Sequence, residues 1–265
     1  MYLFRRIFYY LSSLPTLVLG IRNWPALFRL RKQSGEDVVL TLRDGTRYAV
    51  RSLLDAWIIK ETNLDRDYER HGTMIRDGWN VVDIGAGLGD FALFAARRVP
   101  HGRVFAYEPA PDSVALLEQN LKLNGIRNVE VHAAAVSDRT GTLILDASGR
   151  LPAKYRTVAG LQPAGGRITV QSLTLADVLA GIPGGFCDFL KMDCEGAEYG
   201  ILLSLGDETL ARVRRICLEY HEWSAPFSHK DLMHLFRSKG WYIRVKPSKV
   251  RRDLGFLYAA APSAQ

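Results

Sequence analysis

Four short stretches of the 265-residue chain place acids at the ends of apolar runs, three of them beside glycine or proline. The first is Asp83-Ile84-Gly85-Ala86-Gly87-Leu88-Gly89-Asp90, directly after Val81-Val82. Glu108-Pro109 is the second. Asp193-Cys194-Glu195-Gly196 and Glu219-Tyr220-His221-Glu222 complete the set. A glycine turn after a buried strand lets backbone approach a ligand closely and aims helix amides at it. The dinucleotide fingerprint is GxGxxG with an acid about 20 residues on. Here the spacing is GxGxG, and Asp90 stands where the third glycine would be.

Asp83 at the strand end and Asp90 at the helix start would repel a pyrophosphate but suit a cation. S-adenosylmethionine carries an ammonium, a sulfonium and a ribose diol, and no phosphate. Glu108 lies 19 residues after Gly89, at the next strand end. Its two carboxylate oxygens could accept both ribose hydroxyls. Gly85, Ala86, Gly87, Asp83, Glu108 and Pro109 are therefore the candidate cofactor residues.

Methyl transfer is an in-line displacement at a sulfonium that the cofactor already activates. The protein must align the nucleophile and, for a hydroxyl, help remove its proton. Asp193 ends a strand beside the cofactor turn, so it is placed nearest the reacting methyl. His221 is the general-base candidate, with an intrinsic pKa near working pH. Glu219 could orient that ring or share a cation with it. Asp193, Glu219 and His221 also offer oxygen and nitrogen donors suited to a divalent metal, although no spacing demands one. Glu195 and Glu198 open a helix, where acids also complement the dipole.

These residues need elements to position them. Val38–Leu42 and Arg47–Val50 flank Asp44-Gly45, a hairpin signal. Leu53–Asn63 reads as a helix. Val81–Ile84, Val104–Tyr107, Val129–His132, Phe186–Met192 and Val213–Glu219 read as strands. Helical patterns separate them at Phe91–Val99, around Val114, Leu117 and Leu121, at Glu198–Leu205, and after Ser228. Thr174 with Asp177 resembles a capping box. Trp241–Val245 and Gly255–Ala260 read as a closing strand pair. Strands alternating with helices imply an α/β, Rossmann-like, doubly wound sheet with ligands beyond the strand carboxyl ends. The stretch from Ser137 to Gln171 is irregular and reads as a hairpin or loop insert. It and the hairpin before Tyr68 are the expected walls of the substrate pocket.

Composition narrows the class. Apolar residues make 48% and charged ones 24%, which excludes disorder and fibrous folds. Three cysteines, Cys187, Cys194 and Cys217, form no CxxC pair, which fits a reducing, cytoplasmic setting. Net charge is 35 minus 28, or +7. Six of those charges precede the first acid, Glu36: Arg5, Arg6, Arg22, Arg29, Arg31 and Lys32. The same segment holds Tyr2, Phe4, Phe8, Tyr9, Tyr10, Trp24 and Phe28. Residues 1–35 thus read as a basic, aromatic segment, 36–70 as a hairpin and helix, and 71–262 as the catalytic domain. The uncharged run Ile7–Ile21 is too short to span a bilayer. Two short helices, broken near Pro15 and again near Pro25, are expected. They either lie on an anionic membrane at its inner face or pack on their own domain or a partner; composition leaves both open.

Several motifs resemble the FkbM-family methyltransferases. They are Val82–Phe91 around the glycine turn, Tyr107-Glu108-Pro109, Ala134-Ala135-Val136-Ser137-Asp138, and above all Leu190-Lys191-Met192-Asp193-Cys194-Glu195-Gly196-Ala197-Glu198. Glu219-Tyr220-His221 is similar to an acid–x–histidine element of that family, and Asp44-Gly45 and Ile59-Lys60-Glu61 also look familial. The resemblance runs from Leu42 to Tyr258. It implies S-adenosylmethionine dependence and O-methylation of sugars or small natural products. It also adds Ala135 and Val136 to the cofactor set. Family members usually carry Asn in the glycine turn, as GANxG; this chain has Gly87 there. Three other classes compete, and the first, a nicotinamide oxidoreductase, is disfavoured by GxGxG followed by Asp90. A nucleic-acid methyltransferase is disfavoured by a domain that nets only +1 outside the terminal segment. A membrane-associated interaction protein that merely keeps the fold is disfavoured by the presence of Asp83, Glu108, Asp193 and His221. Acceptor identity, metal dependence and oligomeric state are not legible.

Overall fold

The chain is seen as a computed structural model that describes residues 2–32, 38–146, 156–157, 166–223 and 226–264. It opens with helix α1 (Tyr2–Gly20) and 3-10 turns over Trp24–Lys32. An antiparallel hairpin, β1 (Val38–Thr41) and β2 (Arg47–Val50), follows, then α2 (Leu53–Ile59) and a π turn over Lys60–Leu64. The core alternates β3 (Asn80–Ile84), α3 (Asp90–Ala96), β4 (Arg103–Tyr107), α4 (Pro111–Leu123) and β5 (Val129–His132). Next come β6 (Ala134–Ser137), β7 (Gly141–Asp146), β8 (Arg156–Thr157), β9 (Arg167–Thr174) and α5 (Leu175–Ala180). The chain closes with β10 (Phe189–Met192), α6 (Glu198–Leu203), α7 (Asp207–Leu210), β11 (Arg215–His221), α8 (His229–Ser238), β12 (Tyr242–Pro247) and β13 (Leu254–Ala260).

The central sheet has the order β12-β13-β11-β10-β3-β4-β5. Only β13 runs against its neighbours. Strand order reverses between β3 and β10, so the cleft beyond their carboxyl ends is the ligand position such sheets favour. Strands β3 and β10 are buried on both faces, which is why they read as continuous apolar runs. Val81, Val104 and Ala106 pack with α3 and α4; Val82, Ile84 and Phe105 pack with α5, α6 and α8. Three capping boxes, Ser52 with Asp55, Thr174 with Asp177 and Ser228 with Asp231, start α2, α5 and α8.

One expectation is corrected here. The first helix does not break at Pro15; α1 runs through it. Proline removes one backbone bond, and packing compensates: Leu17 and Ile21 join the core, and Ser13 Oγ donates to the Tyr9 carbonyl at 2.8 Å. The break near Pro25 does occur, where the chain turns into 3-10 geometry. The insert keeps the antiparallel pairing of the expected hairpin, β7 with β8 and with β9. Its described part is a separate sheet of order β6-β9-β7-β8, more regular than a loop. Residues 147–155 and 158–165 of that insert lie outside the described residues, as does the boundary set at residue 35.

Candidate active site

The glycine turn after β3 is shaped by contact with the loop after β10. Gly85 has φ +75°, and a Cβ there would lie 1.9 Å from the Asp193 carbonyl oxygen. Only glycine fits both the dihedral and the contact. Beneath the turn, Lys191 and Asp83 are register partners on adjacent strands, so their side chains share one face. Lys191 Nζ lies 2.9 Å from Asp83 Oδ1 and donates to the Gly85 carbonyl at 2.7 Å. Burial alone would lower the Lys191 pKa, but Asp83, Asp193 and Asp90 outweigh it and raise it. The lysine therefore stays charged and fixes the turn from below.

The cleft above is lined by Gly85, Gly87, Leu88, Asp90, Tyr107, Glu108, Pro109, Ala135, Val136 and Asp193, among others. Most of the expected cofactor residues face it. Asp83 and Ala86 do not. Asp83 is fully buried (0% exposed) and neutralised by Lys191, while Ala86 packs into the core. Asp83 bears on the turn through Lys191, and the Ala86 amide is held by the Tyr107 carbonyl at 3.1 Å. Glu108 Oε2 accepts the Gly87 amide at 2.8 Å, and Oε1 accepts the Ala110 amide at 2.9 Å. Each oxygen keeps acceptor capacity toward the cleft. Burial pushes the Asp90 carboxyl up to about 6, against the pull of Lys191.

Asp193, on the lining of this cleft, converges with Glu219 and the buried His221, their donor atoms within 4.8 Å of one another. Asp193 Oδ2 accepts the Tyr68 hydroxyl at 3.2 Å, and Oδ1 lies 3.8 Å from His221 Nε2. His221 Nδ1 lies 3.1 Å from Glu198 Oε1, which also accepts the Cys194 amide at 2.8 Å. Burial disfavours the charged ring, yet Glu198, Asp193 and Glu219 outweigh it and raise the His221 pKa to about 10. This corrects the expectation of a ring poised near neutrality. Burial, then Asp193, pushes Glu219 well above the carboxylate range. Cys187 and Cys217 are buried.

A second, larger cleft of about 480 Å³ opens onto Glu219. Tyr9, Ser12, Ser13 and Thr16 of α1, Trp57, Lys60 and Glu61, and Lys246 to Arg251 line it. The expected walls were the insert and the β1–β2 hairpin. Among the described residues, neither reaches this cleft; the insert instead contributes Leu145 to the cofactor cleft.

Sequence reasoning passed over Lys191, Tyr68 and the part Glu198 plays. The signal for Lys191 was present: a single cation inside the apolar run Phe189–Met192 cannot be buried without an acid. Glu198 sat at a helix start, where a dipole explanation was sufficient. Tyr68 carries no local signal, because its partner is 125 residues away.

The profile described as "Methyltransferase FkbM domain" matches residues 83–242. The chain belongs to this family. FkbM relatives extend the match. The 31-O-demethyl-FK506 methyltransferase FkbM of Streptomyces tacrolimicus is 30% identical over 238 residues, covering 78% of this chain and 90% of its own. Methyltransferase sdnD of Sordaria araneosa is 28% identical over 225 residues, covering 74% and 85%. The solved FkbM methyltransferase from Methylobacillus flagellatus KT shares the fold at a TM-score of 0.50 and 16% identity, over 90% of this chain and 59% of that one. The present FkbM protein is thus an S-adenosylmethionine-dependent methyltransferase of class I fold.

The Glu198–His221 pair allows a direct check. Glu198→Gln keeps an acceptor for the Cys194 amide but removes the charge. The His221 pKa, read from ring proton shifts by NMR, should fall from about 10 toward 6.5. A raised folded-state pKa contributes stability that is complete below 6.5 and lost as pH rises through about 10. The variant's deficit in urea unfolding should therefore be largest near pH 6.5 and close near pH 10. An equal deficit at both ends would show that Glu198 does not hold the charged ring.

Proposed function

We propose that the enzyme transfers the methyl group of S-adenosylmethionine to a hydroxyl of a sugar, glycan precursor or small polar metabolite. One observation carries this reading: Asp193 lines the cofactor cleft, Glu219 lines the larger cleft, and donor atoms of these two and of the buried His221 lie within 4.8 Å of one another. A hydroxyl presented from the second cleft would meet the methyl from the first beside a carboxylate. The acceptor oxygen attacks the methyl carbon, the S–C pair stays on sulfur, and the hydroxyl proton leaves to the cluster. With His221 charged at neutral pH, Asp193 is the group that takes the proton, while His221 stabilises the developing charge. Glu108 would hold the ribose diol. The Streptomyces tacrolimicus relative, named for a 31-O-demethyl acceptor, supports attack by oxygen. Nucleic acid is disfavoured by the +1 net charge outside the terminal segment.

Asp193, Glu219 and His221 also fit a divalent cation. A cation there would replace the proton on His221 Nε2, which lies 3.8 Å from Asp193 Oδ1, while Nδ1 stays beside Glu198. A bound cation would supply Lewis acidity toward the acceptor oxygen. A methyl-transfer screen with labelled cofactor tests both points, against cell-envelope glycan precursors and hydroxylated metabolites. Label in an O-methyl group is the expected result; label in N-methyl or C-methyl products would overturn the reading. Activity lost to a chelator and restored by Mg²⁺ or Mn²⁺ supports the cation, and full activity in chelator removes it.

A further inference from the structure

Helix α1 is amphipathic in the reverse sense. Its inward face is polar at Tyr9, Ser13 and Thr16 and turns apolar at Leu17, which joins the core. Tyr9 donates its hydroxyl to Glu61 Oε1 at 2.7 Å, and Ser13 Oγ accepts from the buried Lys60 Nζ at 3.0 Å. Trp57 Nε1 donates to the same Glu61 oxygen at 2.9 Å. Its outward face is apolar: Leu11 is 59% exposed, Leu14 52% and Leu19 70%, with Tyr10 and Val18 beside them. Phe28, in the 3-10 turns that follow, is 59% exposed as well. Six of the twelve exposed large hydrophobics among the described residues fall between Tyr10 and Phe28. A surface helix in water normally shows the opposite arrangement. Such a concentrated apolar surface marks an interaction site.

The occupant is argued from charge. The first 35 residues carry six cations and no acid, with Arg22 and Arg29 exposed. A second copy laid on this face would bring like charges together with no carboxylate from either segment, which is repulsive. An anionic lipid surface offers both an apolar layer and complementary charge. No helix among the described residues is long and apolar enough to cross a membrane, so the contact is interfacial. The inward side of α1 is also a wall of the larger cleft, through Tyr9, Ser12, Ser13 and Thr16.

We propose that the outer face of α1 docks on an anionic membrane and seats the mouth of the larger cleft at headgroup level, so that the acceptor is a hydroxyl-bearing molecule held in the membrane. The docking stands on the helix alone; the acceptor clause rests on the proposed function of the cleft.

Co-sedimentation with phosphatidylcholine vesicles, with and without phosphatidylglycerol, tests the docking on the full chain. The protein should pellet with anionic vesicles and lose binding as salt rises. Leu11→Glu/Leu14→Glu/Val18→Glu, three outward positions away from either cleft, should reduce binding at least tenfold. Should that variant fail to fold, Arg22→Ala/Arg29→Ala tests the charge contribution, expected at about fivefold per arginine. Wild-type binding by both variants, no vesicle binding by the native chain, or a dimer dispersed by the triple substitution would each overturn the docking. Calorimetry with S-adenosylmethionine keeps the two readings separate. A triple variant that binds cofactor and methylates a soluble acceptor like the native chain, yet fails on a vesicle-held one, supports the acceptor clause. Equal activity on both acceptors refutes that clause.

Discussion

Asp193→Asn should leave the fold and most cofactor affinity intact while turnover falls by about 10²–10⁴-fold, the range associated with losing a positioned proton acceptor. The side chains are nearly equal in size. The Asp193 contact with Gly85 is made by its backbone carbonyl, which the substitution does not touch. What changes is the carboxylate beside the reacting centre, together with its support of the charged His221 ring at 3.8 Å. Single-turnover transfer of labelled methyl, alongside calorimetry with the cofactor, separates the two effects. Wild-type turnover in this variant would refute the assignment of Asp193. A parallel loss of cofactor binding would mean that Asp193 holds the donor rather than the acceptor.

Glu108→Ala is expected to act on binding instead. The carboxylate accepts the Gly87 and Ala110 amides and is proposed to accept two ribose hydroxyls. Hydrogen bonds to a charged group contribute about 1.5–3 kcal/mol each. Losing the two ribose bonds alone predicts a loss of about 10²–10⁴-fold in affinity, at about 1.4 kcal/mol per decade. Release of the glycine turn adds to the loss. Unchanged affinity, measured by calorimetry with S-adenosylmethionine and its demethylated product, would remove Glu108 from the cofactor site.

The alternation of strands and helices was legible because parallel strands buried on both faces leave continuous apolar runs, as in Val81-Val82 and Phe189-Leu190. The glycine turn and the acids at strand ends were legible because the switch point of a doubly wound sheet is set by topology alone. Three readings failed for physical reasons. Pro15 was given its local cost without the packing of Leu17 and Ile21 that offsets it. Asp83 was placed on the ligand because its register partner, Lys191, lies 108 positions away, beyond any local pattern. His221 was given its intrinsic titration because Asp193 and Glu198 lie more than twenty positions before it and reach the ring, beside Glu219 of its own strand, only in the fold. The wall of the larger cleft was missed similarly: α1, the π turn and the β12–β13 hairpin meet only in the folded molecule.

The position of β3 in the sheet bears on how the protein is made. This strand pairs with β4 on one side and with β10 on the other. A ribosome that has released only the first half of the chain can complete β3, β4 and β5. One flank of β3 then remains unsatisfied until β10 emerges more than a hundred residues later. Unpaired strand edges of this kind recruit other chains. During synthesis at about 5–20 residues per second, that flank stays open for several seconds. Asp193 also arrives only with β10, so the nascent chain has neither a finished glycine turn nor a finished cofactor cleft in that interval. S-adenosylmethionine can therefore stabilise the completed protein but cannot guide its early folding. Pulse-labelled chains stalled before residue 193 should be captured by chaperones whether or not the cofactor is present.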